Sequence, residues 1–311
     1  MRREYVLCNT IPVFNINPLG LHPDGDSLLI YNYEDQRLQP VNSPTNGFFI
    51  RTVYNNPDQD EQIIPYEITT KSGVLSGNIT LRHSNIKPGL KLCIIGDDYI
   101  SRGWVTGAIK NYDSNVSLYG VMDGDISGNQ YTGLIGWNAR NVLEEEEYNN
   151  YQNPMFHNGK FDFKNFANEL QMPPDTIVVL SFGLNALRQG DSPQKALTYY
   201  LKLKKEVEKI GYSTYIVTPV TTAEIGMNYK LSKFAELMRK TVRSGLVDIS
   251  WLLPPNLSTT NKTTDNNFGP TTPLVTDTSM CMPNQTGHEL FGTVLYQHLI
   301  YDSERMLNSE L

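Results

Sequence analysis

Cysteine is scarce in this chain of 311 residues, which has only Cys8, Cys93 and Cys281. The three lie far apart in the sequence and show no paired metal-ligand spacing, so we expect neither a disulfide framework nor a zinc site. Cys93 stands inside an apolar run and is predicted to be a core residue.

Clusters of positive charge and long apolar runs are lacking as well. The net charge is −7 and no run of Lys and Arg is present, which argues against a nucleic-acid or anionic-membrane footprint. No apolar stretch approaches the length of a membrane span, and none of signal-peptide length follows Met1–Tyr5. We therefore expect no membrane insertion and no export by a signal peptide. The acidic run Glu144–Glu147 is predicted to be a solvated face of an insertion.

The first 88 residues contain short alternating apolar runs, such as residues 47–54 and 74–81, separated by turns rich in Pro, Asn, Asp and Gly. No convincing helical periodicity accompanies them. The pattern predicts a small all-β domain of the sandwich or jelly-roll type over residues 1–88. Pro88 and Gly89 mark the predicted junction, because both residues interrupt regular structure.

From residue 89 to residue 311, apolar runs of strand length alternate with amphipathic stretches of helical period. Residues 176–182 form a continuous apolar run, which is typical of a central strand buried on both faces. A helix is predicted to begin at Asp191-Ser192-Pro193, with a capping residue before a proline, and to stop at Gly211. The alternation predicts a three-layer α/β/α domain with a parallel sheet.

Three short segments follow predicted strands and carry residues suited to a site. An apolar strand runs into Gly96-Asp97-Asp98, and the segments 133–137 (GLIGW) and 181–186 (SFGLNA) come later in the chain. Ligands of open α/β sheets bind at the carboxyl ends of the strands, so Asp98, Gly136 and Asn185 are predicted to converge there. Taken singly, the glycine and the asparagine fit ordinary turn roles. Their ordered combination favours a shared site.

In this order the segments resemble the sequence blocks of the SGNH (GDSL-like) hydrolases, over about residues 89–311. The segment 282–288 (MPNQTGH) resembles the last block of that family. The resemblance implies that Asp98 stands where active members have the nucleophilic serine. It aligns Ser279 with the catalytic aspartate and Met282 with the catalytic histidine, so all three triad positions are changed.

The resemblance also implies roles for the retained positions. A backbone N–H near Gly136 and the amide of Asn185 would be the remaining oxyanion donors, and Asp97 would support the turn by hydrogen bonds rather than react. Two stretches depart most from the family pattern, residues 139–172 and residues 251–278. The first, with several tyrosines, is predicted to be a lid or a partner-contacting loop, and the second a long surface excursion.

The changed triad favours a loss of turnover. A serine attacks an acyl carbon only when an imidazole takes its proton, and methionine cannot replace that imidazole. We therefore hypothesise a catalytically degenerate SGNH-like protein with a binding or structural role. By analogy with chains of similar design, we expect a bacteriophage tail or virion component that contacts a glycan or a partner protein. The hypothesis includes no cofactor, no metal and no nucleic-acid partner, and it is compatible with an oligomer.

Two other hypotheses stay open. One is an active carbohydrate esterase (deacetylase) in which Asp98 is nucleophile or base and a histidine from elsewhere assists; His83, His157 and His288 are the candidates. The other is a phosphotransferase that uses Asp97 and Asp98 with magnesium. It is weaker, because adjacent residues of an extended segment point to opposite faces.

Overall fold

The computed structural model describes residues 88–220, 222, 225–250, 283 and 285–309, and the backbone of seven strands that precede them. Ser279 and Met282 lie outside the described residues. The seven strands are β1 (Arg3–Leu7), β2 (Val13–Asn15), β3 (Leu28–Ile30), β4 (Leu38–Asn42), β5 (Phe48–Thr52), β6 (Glu61–Thr70) and β7 (Gly73–His83). They pair in the orders β1-β7-β6-β3 and β2-β5-β4. A separate N-terminal β domain and its boundary at residue 88 remain predictions.

After residue 88, strands and helices alternate, as the periodicity predicted. The strands are β8 (Lys91–Gly96), β9 (Ser117–Tyr119), β10 (Met122–Asp123), β11 (Gln130–Gly133), β12 (Glu147–Tyr148), β13 (Tyr151–Gln152), β14 (Phe156–His157), β15 (Lys160–Phe161), β16 (Ile177–Ser181), β17 (Ser213–Val217) and β18 (Leu246–Val247). The helices are α1 (Trp104–Tyr112), α2 (Ala139–Glu144), α3 (Phe163–Glu169), α4 (Leu184–Arg188), α5 (Pro193–Glu208), α6 (Ile225–Thr241) and α7 (Gln285–Ser309). None of the helices in the described part is both long and apolar enough to cross a bilayer.

The central sheet is mainly parallel and has the order β10-β11-β8-β16-β17-β18. Strand β9 pairs with the first half of β8 and β11 with its last residues, so the two share one edge of β8. Only β10 runs antiparallel to its neighbour in this sheet. After residue 88 the chain therefore enters this sheet in its middle, at β8. It forms β9, β10 and β11 on one side and then crosses to β16 on the other side. The carboxyl ends of β8 and β16 flank this switch point, where open α/β sheets bind ligands.

The helices cover the sheet from two sides. The connection from β8 to β9 runs toward one edge of the sheet, and the later crossovers run toward the other edge. Because crossovers between parallel strands are right-handed, the helices of these connections lie on opposite faces of the sheet. The helix contacts agree, since α1 packs with α7 while α5 packs with α2 and α6. The predicted α/β architecture with a mainly parallel sheet is confirmed, and the interior residues of β8 and β16, Cys93 among them, are fully buried.

Helix α5 begins where its capping sequence predicted. The Ser192 hydroxyl accepts a hydrogen bond from the Lys195 N–H, and Pro193 occupies the first helical position. The buried face of the helix includes Ala196, Tyr200, Leu203 and Val207 at helical spacing. The helix ends at Glu208, three residues before the predicted stop at Gly211. Ile210 therefore lies beyond the helix and is exposed.

Candidate active site

The turn after β8 presents two aspartates in different environments. The Asp97 N–H continues the pairing with β16 by donating to the Ser181 carbonyl at 3.0 Å, and its Oδ1 accepts from the Tyr99 N–H at 3.2 Å. The Asp97 side chain is fully buried. Burial, and after it the negative charge of Asp98, raises the pKa of the Asp97 carboxyl well above its ordinary value. Asp97 therefore supports the turn with a group that favours its neutral form.

Asp98 directs its carboxylate toward two partners that are distant in the sequence. Its Oδ1 accepts a hydrogen bond from the Gly136 N–H at 2.7 Å, and its Oδ2 lies 3.3 Å from Nη1 of Arg188. The Asp98 side chain is only 4% exposed, whereas that of Arg188 is 24% exposed. The carboxylate thus has a backbone donor on one oxygen and a cation on the other, the two donor types that bind carboxylates most strongly.

Gly136 stands in a turn that follows β11 directly. The Leu134 N–H donates to the Gly96 carbonyl at 2.8 Å, and the Trp137 N–H returns to the Leu134 carbonyl at 3.1 Å. Gly136 has a φ of +80°, a left-handed conformation that side-chain-bearing residues rarely adopt. A Cβ there would also lie 2.9 Å from Nδ2 of Asn149. Glycine is therefore required for this turn to bring its N–H against Asp98.

Asn185 reaches the same site from the strand on the other side of the switch point. It lies in α4, directly after the turn at Gly183, whose φ is +142°. The side chain of Asn185 is buried, and its Nδ2 donates to the Trp137 carbonyl at 3.1 Å. At least one of its two N–H groups is therefore engaged with the protein backbone. The strand ends thus bring Asp98, Gly136 and Asn185 together, while Ser279 and Met282 lie outside the described residues.

Sequence reasoning missed two residues of the site, Arg188 and Gln189. Nε2 of Gln189 donates to the Gly136 carbonyl at 2.9 Å, and its Oε1 accepts from Nδ2 of Asn138 at 2.6 Å. One signal was available, since Arg188 follows Asn185 by three residues and so shares its helix face. Gln189 follows Asn185 by four residues, so the same spacing marked it as well.

The candidate histidines do not appear among the contacts of Asp98 in the described part of the chain. The ring of His288 is buried in α7 and packs edge-on against Trp104, with 5.3 Å between the ring centroids. His157 lies exposed in β14, and the side chain of His83 lies outside the described residues. Within the described ranges, no group of three or more His, Cys, Asp or Glu residues could hold a metal ion.

The hairpin formed by β12 and β13 stands beside the glycine turn. Tyr148 and Tyr151 pair across its two-residue loop, and Asn149 and Asn150 both have positive φ, as primed hairpin turns require. Indole Nε1 of Trp137 donates to the Tyr148 carbonyl at 3.1 Å. Tyr151 is 40% exposed. The hairpin tip therefore presents an aromatic ring and two amide side chains near the site.

No protein-family model matches this chain, and no curated protein matches it in sequence. Among solved structures, it is similar to a member of the lipolytic protein G-D-S-L family from Veillonella parvula, with 15% identity and a TM-score of 0.42, over 68% of this chain and 96% of that chain. It is also similar to a family 3 carbohydrate esterase from Clostridium thermocellum, with 12% identity and a TM-score of 0.43, over 70% of this chain and 98% of that chain. Neither similarity assigns the chain to a family.

Proposed function

We propose that this chain is a catalytically degenerate SGNH-like protein whose site serves binding or architecture rather than ester hydrolysis. The observation that carries the proposal is the environment of Asp98. Among the residues that the structure describes, its carboxylate contacts a backbone N–H and a guanidinium, where a hydrolytic nucleophile needs a neighbouring base. Arginine stays protonated and cannot accept the proton.

The hydrogen bonds that the two candidate oxyanion donors already make support the same proposal. Stabilising an oxyanion requires preorganised donors directed at the position where negative charge develops. The Gly136 N–H already donates to Asp98, and the Asn185 amide donates to the Trp137 carbonyl. An acyl oxygen would have to compete with a fixed carboxylate for the first donor, and the charge of that carboxylate would repel the oxyanion.

We further propose that the chain is a bacteriophage tail or virion component that contacts a glycan or a partner protein. The hairpin tip supports a contact of this kind. A flat tyrosine ring with an exposed face, here Tyr151, suits stacking on a sugar or burial in an interface. The neighbouring side chains of Asn149 and Asn150 supply amide donors and acceptors.

An ester-hydrolysis assay tests the main proposal. The native chain, Asp98→Ala and the matched control Asp125→Ala, which removes an exposed carboxylate, are incubated with a chromogenic acetyl ester. We expect none of the three to exceed the rate in buffer. Turnover by the native chain that Asp98→Ala abolishes and Asp125→Ala retains would overturn the proposal in favour of the active esterase. The double variant Asp98→Ser/Met282→His, expected to gain turnover, shows that the assay detects a rebuilt nucleophile and base.

A glycan panel tests the finer proposal. The native chain and Tyr151→Ala are applied to immobilised glycans, with Tyr229→Ala as a control because Tyr229 is also an exposed tyrosine. Binding that only Tyr151→Ala loses would support a glycan contact at the hairpin tip. Equal loss in both variants would contradict it, and absence of binding by the native chain would favour a protein partner.

A further inference from the structure

The glycine turn is held in place by side chains other than Asp98. Each of its three successive carbonyl groups accepts a hydrogen bond from an amide side chain. The donors are Asn149 to Ile135 at 3.5 Å, Gln189 to Gly136 at 2.9 Å and Asn185 to Trp137 at 3.1 Å. They come from hairpin β12–β13 and from the two ends of α4. The backbone around the Gly136 N–H is therefore held by contacts that do not involve the residue at position 98.

Arg188 is positioned by the same helix. It lies in α4 between Asn185 and Gln189, both of which hydrogen-bond to the glycine turn. The helix that carries Arg188 is thus bonded to the turn that carries the Gly136 N–H, and both groups donate to Asp98. A cationic donor beside a fixed backbone N–H is a favourable arrangement for one carboxylate group.

Asp98 occupies this arrangement as a ligand would. One carboxylate oxygen takes the backbone donor at 2.7 Å and the other lies 3.3 Å from the cation. We propose that the Gly136 N–H and Arg188 form a preformed carboxylate-binding site, which the native chain fills with its own Asp98 and which a small external monocarboxylate occupies when Asp98 is shortened. The native site is consequently closed to anionic ligands. The inference rests on the proposed function in one respect, that Asp98 is an occupant of the site and not a reagent.

The size of the ligand follows from the atoms removed. Asp98→Ala deletes a carboxylate group and leaves a space the size of formate. Asp98→Gly deletes one carbon more and leaves a space the size of acetate. The test titrates sodium formate and sodium acetate into the native chain and both variants, following the Gly136 amide resonance by NMR, with sodium chloride at the same ionic strength as the control.

We expect each shortened variant to bind its matched carboxylate at least tenfold more tightly than the native chain does. Adding Arg188→Gln to Asp98→Ala should weaken formate binding by about tenfold, as expected for the loss of one charge-assisted hydrogen bond. Asp98→Asn retains the shape and the acceptor for the Gly136 N–H, so it should not bind formate. Thermal unfolding establishes that each variant is folded, and Asp98→Ser serves where the alanine or glycine variant is not.

Two results would overturn the inference: folded shortened variants that bind neither carboxylate, or formate affinity that Arg188→Gln leaves unchanged. Neither of these two results would be confused with a failure of the proposed function, which concerns ester turnover. Ester turnover by the native chain would refute the loss of catalysis while leaving carboxylate binding by the shortened variants as it is. Absence of carboxylate binding would leave the turnover result untouched.

Discussion

Two aspartate–arginine pairs stand at the carboxyl edge of the same parallel sheet and differ in their surroundings. In each, an arginine Nη1 lies 3.3 Å from a carboxylate oxygen: Arg188 beside Asp98 after β8, and Arg239 beside Asp248 after β18. The second carboxylate also accepts hydrogen bonds from the Ser250 hydroxyl at 2.7 Å and the Thr218 hydroxyl at 3.2 Å.

The difference shows that an ion pair at a strand end does not by itself mark a site. The Asp248 pair is embedded in local hydrogen bonds, and Thr218 Oγ1 in turn accepts from the Ile249 and Ser250 N–H groups at 2.8 Å and 3.0 Å. That cluster ties β17 to the segment after β18. Asp98 instead meets a backbone N–H on a left-handed glycine turn, and the proposed carboxylate site rests on this donor.

The largest change in stability is expected from Tyr200, which links the two strands that lie between the aspartate–arginine pairs. The buried Tyr200 hydroxyl accepts from the Phe182 N–H at 3.0 Å and the Val217 N–H at 3.2 Å, linking the ends of β16 and β17. Tyr200→Phe leaves both N–H groups without this acceptor, so the free energy of unfolding should fall by about 3 kcal/mol in urea titrations. Its half-buried neighbour is the control, since Tyr199→Phe should change stability by less than about 0.5 kcal/mol. Equal losses in the two variants would contradict the linking role.

A second prediction compares the two regions directly. Thr218→Val removes the acceptor of two N–H groups from a buried position and should destabilise the fold by about 2 kcal/mol. Asp98→Ala should cost only about 1 kcal/mol, because water can enter the opened site and solvate Arg188. Thr218→Ser keeps the hydroxyl and should lie close to native. If Asp98→Ala proved the more destabilising change in urea titrations, Asp98 would be a structural tie rather than an occupant.

The fold after residue 88 was largely predictable because its periodicity is strong. Strand β16 and helix α5 lie within two or three residues of the expected bounds, since a continuous apolar run and a capped amphipathic stretch leave few alternatives. The edge of β8 was harder to predict, because two short strands from separate segments, β9 and β11, form it together. A Cβ on Gly120 would lie 2.4 Å from the Tyr131 backbone, a close approach between distant segments that periodicity does not encode.

The proximity of the candidate residues was predictable, and their hydrogen bonds were less so. Ligands of open α/β sheets bind at the carboxyl ends of the strands, and this was enough to predict that Asp98, Gly136 and Asn185 lie close together. The partner of each group depends on contacts between segments far apart in the chain, such as the bond from Asn185 to the Trp137 carbonyl, which spans 48 residues. For the same reason Arg188, 90 residues from Asp98, could not be assigned as its counter-ion from the sequence.

The third prediction, a pH effect that involves a single proton, concerns the adjacent aspartates. Burial, followed by the charge of Asp98, raises the pKa of Asp97 well above its ordinary value. The folded chain therefore retains a proton that the unfolded chain releases above about pH 4. The stability that this proton contributes is complete below that pH and is lost as the pH rises toward the raised pKa.

Asparagine imitates the protonated acid and cannot ionise, so Asp97→Asn should be more stable than the native chain near neutral pH. The difference in stability between this variant and the native chain should shrink as the pH falls to about 4, because Asp97 is then protonated in the unfolded native chain as well. Asp98→Asn removes the neighbouring charge and should lower the pKa of Asp97. In this variant Asp97 should therefore lose its proton at a lower pH than in the native chain. Urea unfolding of the three proteins at several pH values measures both effects. A stability gain of Asp97→Asn that grows toward acid would mean that Asp97 is ionised in the folded chain, and the contrast between the two aspartates would then disappear.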